Sequence, residues 1–282
     1  MTARVPPVVL VFGAIFSLQF GAGFAITIFD EVGAAGAAAL RLALAAVFML
    51  AVWRPRPRDH TPEALRVAVL FGLALGVMNY TFYEALDRIP LGIAVTIEFV
   101  GPLGVAVAGS RSRLDVLWVV LAGAGIVLLT SPWDASTPDP LGVAFALAAG
   151  ACWAAYIVLA QRTGTHFTGS TGLAIAMALA ALVPLGPGIA SGGAELLAPE
   201  ILAIGLAVAL LSSVIPYSLE TEALRRMPRN VFGVLMSLEP AVAALAGLVV
   251  LSQSLDAREL LAIGLVVAAS AGATRAPVPD PA

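Results

Sequence analysis

The chain has 282 residues, of which 60% are apolar and only 12% charged, and its mean hydropathy is +0.97. Soluble domains carry roughly 25% charged residues, so this composition excludes a water-soluble enzyme or binding module. The net charge of −3 decides little, and no nucleic-acid partner is expected.

A bilayer core needs roughly 20 apolar residues per crossing helix. Ten windows meet that length: 7–28, 34–53, 64–83, 91–109, 114–131, 140–161, 168–189, 199–219, 229–251 and 257–274. None alternates apolar and polar residues as a barrel strand would. The expected fold is therefore an all-α polytopic membrane protein with ten transmembrane helices. The first window is longer than the roughly 7–15 apolar residues of a signal core and is expected to be retained. All fifteen basic residues are arginine. Counted from a cytoplasmic N-terminus, twelve fall inside, Arg88 and Arg258 fall outside, and Arg41 lies within the second helix. That bias places both termini in the cytoplasm. The single cysteine, Cys152, allows no disulfide framework, and His60 and His166 lie in expected loops without metal-ligand spacing. No cofactor is expected.

Helix 1 holds Gln19 among small residues, which suits close helix packing and asks for a polar partner inside the bundle. Helix 2 carries Arg41 two turns in, where a charge must face a partner or a watery cavity. An ion pair and a substrate-carboxylate contact both fit. Helix 3 has Gly72 and Gly76 at packing spacing, then Asn79, Tyr80, Tyr83 and Glu84 at its outer end. The tyrosines suit an interface belt or a site lining. Helix 4 holds Thr96, Glu98 and Pro102. A proline removes the bond to the carbonyl four residues back, here that of Glu98 itself. Helix 5 reads as a packing or homodimer element. Helix 6 sets Trp153 and Tyr156 on one face, and helix 7 breaks at the PLGPG run. Helix 8 ends in Ser212, Ser213, Pro216, Tyr217 and Glu220, and helix 9 carries Ser237, Glu239 and Pro240. Helix 10 is apolar.

The segment EALDRIP at 84–90 returns as EALRRMP at 222–228, and a proline follows each twelve residues later, Pro102 and Pro240. Two five-helix copies are expected, residues 1–133 and 134–276, followed by a disordered cytoplasmic tail at 277–282. Five is odd, so the second copy enters inverted. Inverted repeats with broken helices at mid-membrane are a device of secondary transporters.

The runs ALDRIPLGIAVTIEFVGPL, GACWAAYIVLAQR and IPYSLETEALRRMPRNVFGVLMSLEPAVAALAGLVVL resemble the EamA-type branch of the drug/metabolite transporter superfamily. Within it they are most similar to amino-acid exporters of the bacterial inner membrane. The resemblance implies a ten-helix inverted-repeat fold with a central cavity, not an enzyme. It also implies proton-driven efflux of small neutral amino acids such as threonine and homoserine. One departure stands out: relatives usually read Gly-Glu-x-Leu after helix 9, where this chain has Ser252-Gln253-Ser254-Leu255.

A zwitterion asks for an anion to meet its ammonium and donors to meet its carboxylate. Glu98 and Glu239 are the candidates for the first role, and Arg41, Asn79 or broken-helix N–H groups for the second. Tyr80, Tyr83, Trp153, Tyr156 and Tyr217 would shape the cavity and face an ammonium with their rings. Thr96, Glu220 and Ser237 complete the expected proton- and substrate-binding set. Glu98 is favoured as the proton site, because acid and freed carbonyl coincide there. The competing readings are the same fold exporting another metabolite or a cationic drug, a membrane enzyme, and a non-transporting sensor. The enzyme lacks a catalytic constellation, and the sensor lacks a soluble output domain.

Overall fold

The computed structural model describes residues 5–108, 114–129, 138–224, 226, 227, 232 and 235–273. The expected cytoplasmic tail at 277–282 and the arginines Arg4, Arg111, Arg113, Arg225, Arg229 and Arg275 lie outside the described residues. Among the described residues there are helices and connecting turns but no strands.

Among the described residues, thirteen α-helices are delimited: α1 Pro7–Ile26, α2 Phe29–Trp53, α3 Pro62–Leu86, α4 Leu91–Glu98, α5 Val100–Ala108, α6 Leu114–Leu129, α7 Pro140–His166, α8 Thr171–Ala180, α9 Leu182–Gly192, α10 Pro199–Ala209, α11 Ile215–Leu224, α12 Glu239–Leu251 and α13 Ala257–Ala273. Six helical stretches among the described residues are long and apolar enough to cross a membrane: Pro7–Ile26, Phe29–Trp53, Pro62–Leu86, Pro140–His166, Thr171–Leu197 and Pro199–Glu220. At about 1.5 Å per residue, each covers the roughly 30 Å of a hydrocarbon core. Leu91–Val105, Val116–Leu129 and Glu239–Leu251 are shorter apolar helices. Val47, Val116, Leu182 and Val249 point outward and are more than half exposed, as lipid-facing side chains are.

Helix starts are written in the sequence. Proline occupies the first helical turn of α1, α3, α7, α10 and α12, where its missing N–H forfeits nothing. Thr61 caps α3 by accepting from Ala64 N at 3.2 Å, and Asp139 caps α7 by accepting from Leu141 N at 2.8 Å. Breaks also fall just ahead of prolines. Helix α4 stops at Glu98 and α5 resumes at Val100, just ahead of Pro102. Helices α8 and α9 part at Ala181, ahead of Pro184. Between α10 and α11 the chain widens into a π-turn, Leu210–Val214, just before Pro216. The window 229–251 behaves differently from the expected single helix. Its described residues Phe232, Leu235 and Met236 are helical, a turn follows at Ser237 and Leu238, and α12 resumes at Glu239 with Pro240 in its first turn.

Small residues set the packing. A Cβ on Gly72 or Gly76 would come within 2.7 Å of the Ala176 or Ala180 carbonyl oxygen, so these glycines let α3 lie against the α8–α9 backbone. A Cβ on Gly150 of α7 would sit 2.6 Å from the oxygen of Glu98. That oxygen is the carbonyl released by Pro102, and only a glycine at 150 can cover it so closely. Across the bundle, α3 packs on α7, α1 on α10 and α11, α2 on α8 and α9, α4 on α12, and α6 on α13.

Candidate functional site

Where the broken helices meet there is a cavity of 860 Å³. Its polar lining comes from α1 (Gln19), α2 (Arg41), α3 (Asn79), α4 (Glu98), α11 (Glu220) and α12 (Glu239). Phe71, Phe82, Phe99, Trp153, Tyr156 and Tyr217 form its aromatic walls, with Phe71 5.1 Å from Tyr156 and Phe99 edge-on to Trp153 at 5.2 Å. A second hollow of 390 Å³ beside Gly101 and Gly150 is bounded by apolar side chains and glycines and offers no charged chemistry.

The cavity lining continues through Gln161, Thr163 and Phe167 to Ser170, beside the loop where the His60 ring lies 4.5 Å from that of Phe167 and tilted against it. At the opposite end the bundle is shut. Leu86, Ile89, Leu91 and Ile93 are buried there, and Arg88 pairs with Glu84 at 2.9 Å while lying over the Phe145 ring. Gln253 Oε1 accepts from the Leu91 backbone N–H at 3.1 Å, so the α12–α13 loop caps the first turn of α4. The departure at 252–255 thus supplies a neutral side chain that ties the α12–α13 loop to α4.

Arg41 is 4% exposed, so its charge needs built partners. It finds them at the π-turn. Pro216 has no N–H for the Ser212 carbonyl four residues back, and Arg41 Nη2 donates to that oxygen at 2.7 Å. Nε donates to Ser213 Oγ at 3.2 Å, and the guanidinium lies 5.6 Å from the centre of the Tyr83 ring. Arg41 itself lines the cavity. The charge of Arg41 acts on Glu98, without a contact ion pair. Glu239 is 1% exposed, and its Oε1 accepts from Gln19 Nε2 at 3.4 Å.

Of the residues singled out in the sequence, Glu98, Glu239, Arg41, Asn79, Trp153, Tyr156, Tyr217 and Glu220 converge on the cavity. Tyr80, Tyr83, Thr96 and Ser237 do not line it. Tyr83 is fully buried beneath Arg41. Thr96 donates to the Gly92 carbonyl of its own helix at 2.6 Å, and Ser237 donates to Ser270 Oγ at 2.9 Å. Phe71, Phe99, Met236 and Ser270 line the cavity without having been singled out. For Phe71 a signal existed, since Phe71, Met78, Asn79 and Phe82 share one helical stripe of α3. Among the described residues no group of His, Cys, Asp or Glu could hold a metal ion.

Residues 140–275 match the EamA-like transporter family. The threonine/homoserine exporter RhtA of Escherichia coli (strain K12) is 44% identical over 269 residues, covering 95% of this chain and 91% of the relative. The chain belongs to the EamA-like transporter family. The exporter of the same name from Salmonella typhimurium (strain LT2) is also 44% identical, over the same shares of both chains. A solved crystal structure with 17% identity superposes with a TM-score of 0.66 over 95% of this chain and 96% of its own, which establishes a shared fold. This EamA protein is accordingly a transporter rather than an enzyme. With bacterial relatives and several apolar helices of spanning length, it is a multi-pass protein of the bacterial inner membrane. The expectation of an EamA-type transporter, made from the quoted runs, is borne out along nearly the whole chain.

Proposed function

We propose that this chain is a secondary active exporter of small neutral amino acids of the threonine and homoserine kind, driven by proton entry through alternating access. One observation carries the substrate class: 44% identity along 95% of the chain to proteins named as threonine/homoserine exporters. The cavity supports it, because it offers a zwitterion both of the charges it needs. Arg41 lines the cavity for the carboxylate, and Glu98 lines the same space for the ammonium. The aromatic walls exclude bulk water around both contacts and set the size of the side chain admitted.

The architecture proposed is ten spans in two inverted repeats, residues 1–133 and 134–276, with both termini cytoplasmic. The packing supports it. Counting α4–α5, α8–α9 and α10–α11 as single broken spans, the third span lies on the sixth and the first on the eighth. A two-fold exchange of the halves turns one pair into the other. The second span meets the seventh, the fourth the ninth and the fifth the tenth, and the same exchange returns each of these pairs to itself. With the arginine-rich loops in the cytoplasm, the cavity mouth at Phe167 and Ser170 faces inward, and the seal at Arg88 and Gln253 faces outward. The arrangement is that of a cytoplasm-facing carrier awaiting substrate. A homodimer through α6, the helix read as a packing element, belongs to the same proposal.

Loaded cells expressing the protein should release labelled threonine and homoserine faster than cells lacking it, and collapse of the proton gradient should abolish the difference. If no neutral amino acid leaves faster, while a permanently cationic compound does, the substrate assignment is wrong and the cation-export reading replaces it.

A further inference from the structure

We infer that Glu239 is the proton-binding carboxyl of this transporter, and that Gln19 holds its neutral form in a cyclic acid–amide pair joining α12 to α1. The inference rests on the proton-coupled reading above and assigns the two cavity acids different tasks.

The pattern of satisfied and unsatisfied atoms points there. Gln19 Nε2 already donates to Glu239 Oε1 at 3.4 Å. Among the buried side-chain atoms lacking any partner are Gln19 Oε1 and Glu239 Oε2, the other oxygen of each of these two groups. Both side chains are at least 97% buried, with exposures of 3% and 1%, so water does not compensate them. Two acceptors cannot satisfy one another. A single proton on Glu239 Oε2, donated to Gln19 Oε1, closes an eight-membered ring of two antiparallel hydrogen bonds and satisfies both. The only bond formed to the protein is O–H on Glu239, its proton taken from water in the cavity and returned there on release.

The surroundings distinguish Glu239 from the other acids. Of the elements packed on α12, α1 brings Gln19, α4 brings Glu98 and α13 brings the uncharged Ser270. From α11, Tyr217 and Glu220 face the same space. Glu239 shares the cavity with two carboxyls of its own sign, Glu220 and Glu98, and has its built hydrogen-bond partner in Gln19. Glu239 stands in the first turn of α12, whose free N–H groups favour the anion once the proton leaves, so both states have support. Proton binding fastens α1 to α12, and proton loss unfastens them, across the interface of the two halves.

The test is infrared difference spectroscopy of the purified full-length transporter in lipid, titrated from pH 5 to pH 9. The wild type should show a protonated-carboxyl C=O band that titrates within this range. Glu239→Gln should lose it, and Glu98→Gln should retain it. Gln19→Leu should keep the band but move it to higher frequency, because the carboxyl C=O loses its N–H donor. Threonine exchange across proteoliposomes should lose its pH dependence in Glu239→Gln. A band that survives Glu239→Gln, a frequency unmoved by Gln19→Leu, or no titrating band at any pH would overturn the assignment. The spectrum requires no substrate, so failure of the amino-acid reading leaves this result interpretable on its own.

Discussion

Replacing Arg41 by leucine should reduce threonine efflux by about ten- to a hundred-fold, the span expected when a charge-assisted hydrogen bond worth about 1.5–3 kcal/mol is lost from a bound carboxylate. Arg41 is fixed from both sides: the Ser212 carbonyl and Ser213 Oγ hold two nitrogens, and the Tyr83 ring lies under the plane. Removing it also leaves the Ser212 carbonyl buried without a donor and Glu98 without a counter-charge. Leaving a buried acceptor unsatisfied costs about 1–3 kcal/mol, so the leucine variant should also denature at a lower temperature. Arg41→Lys separates the two effects. It keeps the charge beside Glu98, but one ammonium cannot reproduce the planar fork that reaches Ser212, Ser213 and the substrate together. The lysine variant should therefore melt closer to the wild type than the leucine variant and still export slowly. Wild-type efflux from proteoliposomes of Arg41→Leu would remove Arg41 from the substrate site.

Gly150→Val should cost assembly as well as transport. The Cβ of a side chain at 150 falls 2.6 Å from the Glu98 carbonyl oxygen, and one on Gly101 runs into the Gly150 carbonyl oxygen in turn. Backbone atoms, rather than flexible side-chain ends, bound both sites, so α4 and α7 must move apart. Overpacking of this kind costs about 1–3 kcal/mol, occasionally more. Here the displacement also carries Glu98 away from Arg41. The expected result is a lower melting temperature in detergent and loss of efflux, with Gly150→Ala affected less than Gly150→Val. A valine variant that melts and exports like the wild type would show that the crossing is not as tight as described.

The apolar windows were readable because a bilayer demands both length and composition, and eight of the twelve singled-out residues line one cavity because a charge or amide inside such a window needs a polar neighbour. Helix breaks near Pro102 and Pro184 were equally visible, since a missing N–H acts locally. Other features were hidden for physical reasons. Thr96 and Ser237 looked like site residues, but a hydroxyl can satisfy itself on its own helix or on one neighbour, and here each does. Tyr80 and Tyr83 sit beside Asn79 in sequence, yet a helix turns about 100° per residue, and Tyr83 ends beneath Arg41 rather than on the cavity. Phe71 and Phe99 resemble lipid-facing aromatics until their neighbours across the bundle are known. The π-turn at Leu210–Val214 left no mark beyond Pro216, although it presents the carbonyl that holds Arg41. The pairing of Gln19 with Glu239 joins residues 220 positions apart, which no local pattern could disclose.

The most direct test of proton-coupled amino-acid export uses proteoliposomes loaded with threonine and a lumenal pH indicator. On dilution into threonine-free buffer of the same pH, the wild-type protein should acidify the lumen as threonine leaves, and liposomes without protein should not. Threonine efflux with no change in lumenal pH, or no threonine efflux at all, would contradict the account.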